Sequence, residues 1–183
     1  DEDIKTVADL KGKTVSIGAP GSGVYFNAID VLGAYGLTEQ DIRAEYLSFG
    51  ESTDAMKDGK IDAAFIVSGA PTNAITELAT TNGVYLVNIE EDKADDLIEI
   101  CPYYNKHIIP GGTYKGLDED THTLSIKATM IVSANSAEED VYNLTKGIYD
   151  NIAAIAGTHA KGNELSLENA VSGMPVPFHA GAA

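Results

Sequence analysis

The feature that most constrains this chain is a unit that occurs twice: a short apolar run, a break of glycine and small residues, then a helix pattern. Residues 14–17 run into Gly18-Ala-Pro-Gly-Ser-Gly23 and on to Phe26, Ile29, Val31 and Leu32. Residues 62–67 run into Ser68-Gly-Ala-Pro71 and a helix over 72–81 that places Ile75 and Leu78 on one face. An apolar run without polar alternation suits a strand buried on both faces, and parallel sheets covered by helices supply that environment. Between and after the two units come a strand around Tyr46 and Leu47, a helix over 51–58 ended by Gly59, a strand over 84–89 and a helix over 91–100 that stops before Pro102. Strands alternating with helices over about a hundred residues predict an α/β fold with a doubly wound, mostly parallel sheet.

Beyond Pro102 the texture changes. Residues 110–116 and the acidic run Asp118, Glu119 and Asp120 read as loop. Residues 123–133 then alternate, with Leu124, Ile126, Ala128, Met130 and Val132 on one face, which is the period of a long strand. Ser136-Ala-Glu-Glu139 has the spacing of a capping box. The helix it opens, expected over 138–156, carries Val141, Leu144, Ile148, Ile152 and Ile155 on one stripe.

Composition removes several classes of function. A net charge of −16 leaves no basic surface to displace phosphate counterions, so nucleic acid is not expected as a partner. A lone Cys101 cannot form an intrachain disulfide or a cysteine-based zinc cluster, and His107, His122, His159 and His179 have no ligand-like spacing. No metal or cofactor is therefore expected. The 118–120 run lacks the spaced ligands and turn glycine of a calcium loop. No apolar run is long enough to span a bilayer, and a targeting segment is expected upstream of Asp1.

The first glycine loop invites comparison with a phosphate-binding P-loop. The positions that would be Lys and Ser or Thr are Val24 and Tyr25, so neither the phosphate-binding charge nor the magnesium-binding hydroxyl is present. A more general chemistry remains: backbone N–H groups and the Ser22 hydroxyl presented at a helix N-terminus, where an anion is favoured. Ser68, Gly69, Ala70, Pro71 and Thr72 repeat that design. In a doubly wound sheet the loops after the strands gather at the carboxyl edge. The candidate ligand-binding residues are thus Ser22, Gly23, Val24, Tyr25, Ser68, Gly69, Ala70, Pro71 and Thr72. Tight turns and plain helix capping explain the same residues without a ligand. No catalytic constellation accompanies them, since the loops offer only hydroxyls and backbone amides, and an enzyme is not expected.

The order of these pieces resembles the TAXI family of TRAP-transporter solute receptors. The resemblance is carried by Asp9-Leu-Lys-Gly-Lys-Thr-Val-Ser-Ile-Gly-Ala-Pro-Gly-Ser-Gly23, Glu45-Tyr-Leu-Ser-Phe49, Asp58-Gly-Lys-Ile-Asp-Ala63, Ser68-Gly-Ala-Pro-Thr72, Glu77-Leu-Ala-Thr80, Pro102-Tyr-Tyr104, Gly112-Thr-Tyr114 and Ser166-Leu-Glu-Asn-Ala170. Two positions depart from the family pattern: Val24 where Thr or Ser is frequent, and Ala180 where Pro is usual. The resemblance implies a type II periplasmic-binding-protein-like fold, with residues 1–105 forming the second α/β lobe. Residues 106–183 would provide a crossover strand and a C-terminal part returning to a first lobe that is incomplete here. It also implies an extracytoplasmic receptor, periplasmic, secreted or lipid-anchored. Such a receptor would hand a glutamate-like amino acid or organic acid to the membrane subunits of a TRAP-type secondary transporter. Without the rest of the first lobe, the helix over 138–156 is expected to expose its stripe or pair with another chain. An enzyme on the same two-lobe fold, or an effector-sensing domain, is the alternative.

Overall fold

A computed structural model describes residues 3–158, 160–171, 174 and 176–183. His159 and Pro175, and the Asp1 and Glu2 that open the sequence, lie outside the described residues. The chain divides into two compact units, Asp1–Ser125 and Ile126–Ala183.

In the first unit three strands form a parallel sheet: β1 (Thr14–Ser16), β2 (Arg43–Glu45) and β3 (Ala63–Ala64), in the order β2-β1-β3. Register is set by Val15 opposite Ala44 on one side and Ala63 on the other. The connections are helices α1 (Gly23–Ala34) and α2 (Phe49–Lys57), followed after β3 by α3 (Asn73–Thr81) and then by α4 (Glu91–Ile100). The path from β1 to β2 and back past β1 to β3 reverses direction. Right-handed crossovers therefore put α1 and α2 on opposite faces. Packing agrees, with α1 against α4 and α2 against α3. This is the expected α/β, doubly wound parallel arrangement.

The two faces differ in kind. Val15 and Ile17 of the central strand are fully buried in a cluster with Ala28, Val31 and Leu32 of α1, Leu97 of α4, and Leu10 and Tyr104. Ser16, pointing the other way by the alternation of a strand, meets Ser52 of α2.

Helix ends follow the local sequence. Gly36 and Gly59 adopt positive φ (69° and 67°) just after α1 and α2, where any other residue would be strained. Thr6–Asp9, Thr38–Asp41 and Ser48–Glu51 form capping boxes. In each the carboxylate accepts backbone N–H groups left over at the start of a helical turn.

Several expected elements come out shorter. The run 62–67 is in the ladder only at Ala63 and Ala64, although Phe65 still donates its N–H to the Ser16 carbonyl at 2.8 Å. The strand expected around Tyr46 and Leu47 lies just upstream, over Arg43–Glu45. Residues 84–89 form no strand; Ile89 donates to the His122 carbonyl at 2.9 Å, and His122 donates to Asn88 Oδ1 at 2.7 Å.

The long strand expected over 123–133 is instead β5 (Thr121–Ser125), antiparallel to a strand not anticipated, β4 (Asn105–Ile109). The ladder ends at Ser125 opposite Asn105 because the partner chain turns there: Tyr104 donates its N–H to Cys101, and Pro102 has no N–H to give. Alternation marks which side chains share a face, but a strand needs a neighbour to accept its backbone.

The second unit is helical among its described residues: α5 (Glu138–Asp150), α6 (Ile152–Ala156) and α7 (Leu167–Val171), with short 3-10 turns. The single helix expected over 138–156 is broken at Asn151 (φ −114°, ψ 20°), and its side chain bonds back to the Gly147 carbonyl at 2.7 Å. The N-cap is Ala137 with no side-chain cap, so the Ser136 capping box does not form. On the expected stripe Val141 is buried, whereas Leu144 is 46% exposed.

The capping carboxylates give an acid-stability prediction. Hydrogen bonds from Thr6 hold Asp9 below the usual carboxylate range, those from Thr38 do the same for Asp41, and those from Ser48 for Glu51. A carboxyl with a depressed folded pKa stabilises fully above its unfolded value, near pH 4, and loses that contribution as pH falls through its folded value. Thermal melts should therefore show Tm falling below about pH 4. The variant D9N/D41N/E51Q should have a lower Tm at pH 7 and a flatter fall on acidification.

Candidate functional site

The strand order fixes where a ligand fits best. Chain leaving β1 turns to the face of α1, and chain leaving β3 turns to the face of α3, and in such sheets ligands bind where neighbouring strands part in this way, at their carboxyl ends. The two loops there are the ones singled out from the sequence, 17–23 and 65–72.

The first loop is held by close approach. Gly18 and Gly21 both have positive φ (80° and 75°). A Cβ on Gly18 would lie 2.8 Å from Val24 Cβ and 3.2 Å from Ser22 Oγ, so the chain folds back on itself with Val24 over Gly18. Ser22 is the N-cap of α1, its hydroxyl accepting the Tyr25 N–H at 3.2 Å. Among the described residues the N–H of Gly23 and Val24 find no acceptor, as the geometry of a helix start dictates. Tyr25 is engaged elsewhere. Its hydroxyl donates to Glu39 at 2.8 Å, and its ring lies 6.4 Å from that of Tyr46, which bonds the same carboxylate. The hydrogen bonds from Tyr46 and Tyr25 lower the Glu39 pKa, and Glu39 in turn raises that of Tyr25.

The second loop is built differently. Ser68 and Pro71 are exposed, while Gly69, Ala70 and Thr72 are half-buried. Thr72 is the N-cap of α3, yet its side chain makes no capping bond. Its N–H donates instead to the hydroxyl of Tyr114 at 3.1 Å, and Tyr114 is only 3% exposed. Among the described residues the N–H groups of Asn73, Ala74 and Ile75 have no acceptors.

A third helix start, that of α2, lies at the same edge but carries its own carboxylate. The Glu51 carboxylate accepts from both the backbone N–H and the hydroxyl of Ser48, at 2.9 and 2.6 Å. The edge thus presents two helix starts with no acidic side chain, at α1 and α3, and one, at α2, with the Glu51 carboxylate beside it. Neither loop contains an acidic or basic residue. Among the described residues no cluster of His, Cys, Asp or Glu could hold a metal ion.

Sequence reasoning missed Tyr114 as the support beneath Thr72, and no local signal placed it there, because 42 residues separate the pair. The Ser16–Ser52 pair was also missed, although a serine between Val15 and Ile17 in an apolar strand was a visible anomaly. Tyr103 and Tyr104, just after Pro102, serve α1. Both hydroxyls donate to Asp30, at 3.1 and 2.9 Å, and burial pushes the Tyr104 pKa upward.

The sequence matches the NMT1-like family over residues 1–183. Among solved structures, the chain is similar to the periplasmic aliphatic sulphonate-binding protein SsuA of Escherichia coli, with 22% identity and a TM-score of 0.52, covering 95% of this chain and 47% of that one. The alkanesulfonate-binding protein SsuA of Xanthomonas axonopodis pv. citri, bound to MOPS, matches at 21% identity and a TM-score of 0.41, over 94% of this chain and 52% of that one. The chain thus spans about half the length of these proteins, and the first of them shares its fold.

Two substitutions test the loop construction. Gly18→Ala places a Cβ against Val24 at a positive φ and should cost roughly 1–3 kcal/mol, read as a lower midpoint in urea. Tyr114→Phe leaves the Thr72 N–H without its acceptor and should cost about 1–3 kcal/mol by the same measurement.

Proposed function

The chain belongs to the NMT1-like family, and from that membership, its fold and its open helix starts we propose that it is part of an extracytoplasmic solute-binding receptor for a small anion. The observation that carries this is the pair of unfilled N-termini, Gly23–Val24 at α1 and Asn73–Ile75 at α3, on either side of the strand-order reversal. Backbone N–H donors at helix starts suit a carboxylate, sulfonate or phosphate oxygen, and no group in the two loops suits a catalytic step. The ligand contacts assigned to this edge are the backbone of Ser22, Gly23 and Val24 and of residues 68–72, with Tyr25 shaping the rim through Glu39.

A glutamate-like amino acid or organic acid delivered to a TRAP-type secondary transporter is the finer proposal, and it rests on the motif resemblance. A second ligand class is favoured by a specific observation: a solved protein that shares the fold is a sulphonate-binding protein. Both classes present a small anionic head to the same donors. Residues 126–183, where Met130 and Ile131 are 58% and 80% exposed, are proposed to complete another lobe of the receptor. The exposed Leu144 and Tyr142 of α5 are the face through which residues 1–183 alone would self-associate.

Energetics sets the expectation for binding. Micromolar affinity corresponds to about −8 kcal/mol. A helix start contributes roughly 0.3–1 kcal/mol and a charge-assisted hydrogen bond about 1.5–3 kcal/mol, against several kcal/mol for immobilising the ligand. Two loops alone therefore fall short, and closure of a second lobe over the anion is needed to exclude water. Calorimetry with L-glutamate and with ethanesulfonate should show micromolar binding of one of them to the full-length protein and at least tenfold weaker binding to residues 1–183. Equal affinity for the two proteins would refute the two-lobe account, and a full-length protein indifferent to both anions would refute the ligand class.

A further inference from the structure

Two serines lie buried where the central strand meets α2. Ser16 is fully buried, Ser52 is 2% exposed, and their hydroxyl oxygens are 2.7 Å apart. Ser52 Oγ is also 2.8 Å from the carbonyl of Ser48, which can only accept. Ser52 therefore donates to Ser48, and Ser16 donates to Ser52. The order of protons is fixed from the last residue of β1 to the first turn of α2.

Such a pair adds little stability, because two apolar groups of similar shape in its place are close to neutral. What it adds is direction, since a hydrogen bond tolerates less displacement than an apolar contact. The place matters as well. Ser52 lines a small crevice together with Ala64 of β3 and Ala74 and Ile75 of α3. Two of the three open N–H groups at the start of α3 belong to those last residues. The residue after Ser16 and Ile17 is Gly18, where the first loop begins.

We infer that the Ser16–Ser52 pair is a positioning device, which sets the spacing between the open N–H groups of α3 and the loop that leads to α1. Its bearing on ligand affinity rests on the anion-binding function proposed above; its bearing on the placement of α3 does not. Neither serine touches the anion. Each acts through the backbone it holds.

The test uses S16A, S52A and S16A/S52A in the full-length protein, with melting temperature, amide chemical shifts and calorimetry as readouts. S52A strands the Ser16 hydroxyl and should lower Tm more than S16A, which leaves the Ser52 donor with its Ser48 acceptor. The double variant should regain most of the Tm lost by S52A. Its amide resonances for Asn73, Ala74 and Ile75 should still be displaced, and its affinity for whichever of ethanesulfonate or L-glutamate binds should fall about tenfold, equivalent to 1.4 kcal/mol. A merely structural pair would move affinity and Tm together. Unchanged resonances at 73–75 in the double variant would overturn the inference, as would unchanged affinity in a protein that binds the anion. If neither anion binds the wild type, the ligand proposal fails and the resonances alone decide the placement of α3. Should the double variant not fold, S16A carries the same resonance and affinity readouts.

Discussion

Everything in the first unit hangs on the backbone pairing of three residues, Thr14, Val15 and Ser16. They lie between two parallel neighbours, and the ladder continues past its ends. Arg43 donates to Lys13 at 2.8 Å, Ile17 to Glu45 at 2.9 Å and Phe65 to Ser16 at 2.8 Å. Just before β3, the Asp62 N–H donates to the Thr14 carbonyl at 2.8 Å, and the Asp62 carboxylate accepts the Thr14 N–H at 2.8 Å. A strand with no exposed surface at Val15 and Ser16 has no water to fall back on, so each polar group must be met from within. Both candidate loops leave this sheet at its carboxyl edge. Their relative placement is a consequence of that pairing before it is a property of the loops.

How much of this was legible depends on whether the signal was local. The breaks at Gly18–Gly23 and after Val67, the glycine stop at Gly59, and the helices around them could be read because their causes are sterics within a few residues. The parallel sheet followed from two apolar runs flanked by helix patterns. Strand lengths did not follow, since the extent of β3 or β5 is decided by the neighbour. Ser125 is the last paired residue because Tyr104 turns back on Cys101, a fact located twenty residues away. The antiparallel pair of Asn105–Ile109 with Thr121–Ser125 was missed because His107 and Lys106 obscure its alternation. The Ser136 capping box failed for a converse reason: the spacing was right, but α5 begins at Glu138, one residue too late for Ser136 to cap it.

The candidate site divides along the same line. Residue types at the two loops told correctly of small, uncharged chain at helix starts. They could not tell that Ser22 spends its acceptor on Tyr25, that Thr72 leaves its hydroxyl out of the cap, or that Tyr25 belongs to a carboxylate shared with Tyr46. These are allocations of hydrogen bonds among competitors, and they are resolved only in three dimensions. The capping box at Ser48 shows the competition plainly. Glu51 places a negative charge at the start of α2, so of three helix starts at one edge only two are free of a carboxylate.

The absence of charged side chains from residues 17–23 and 65–72 has a further consequence. A peptide N–H neither gains nor loses a proton across any pH at which a protein stays folded. A guest held by such donors is gripped with the same strength in acid and in base, and only its own ionisation limits the range. A lysine or histidine in their place would have tied capture to the acidity of the surroundings. With no titrating side chain of their own, the two loops are indifferent to that variable.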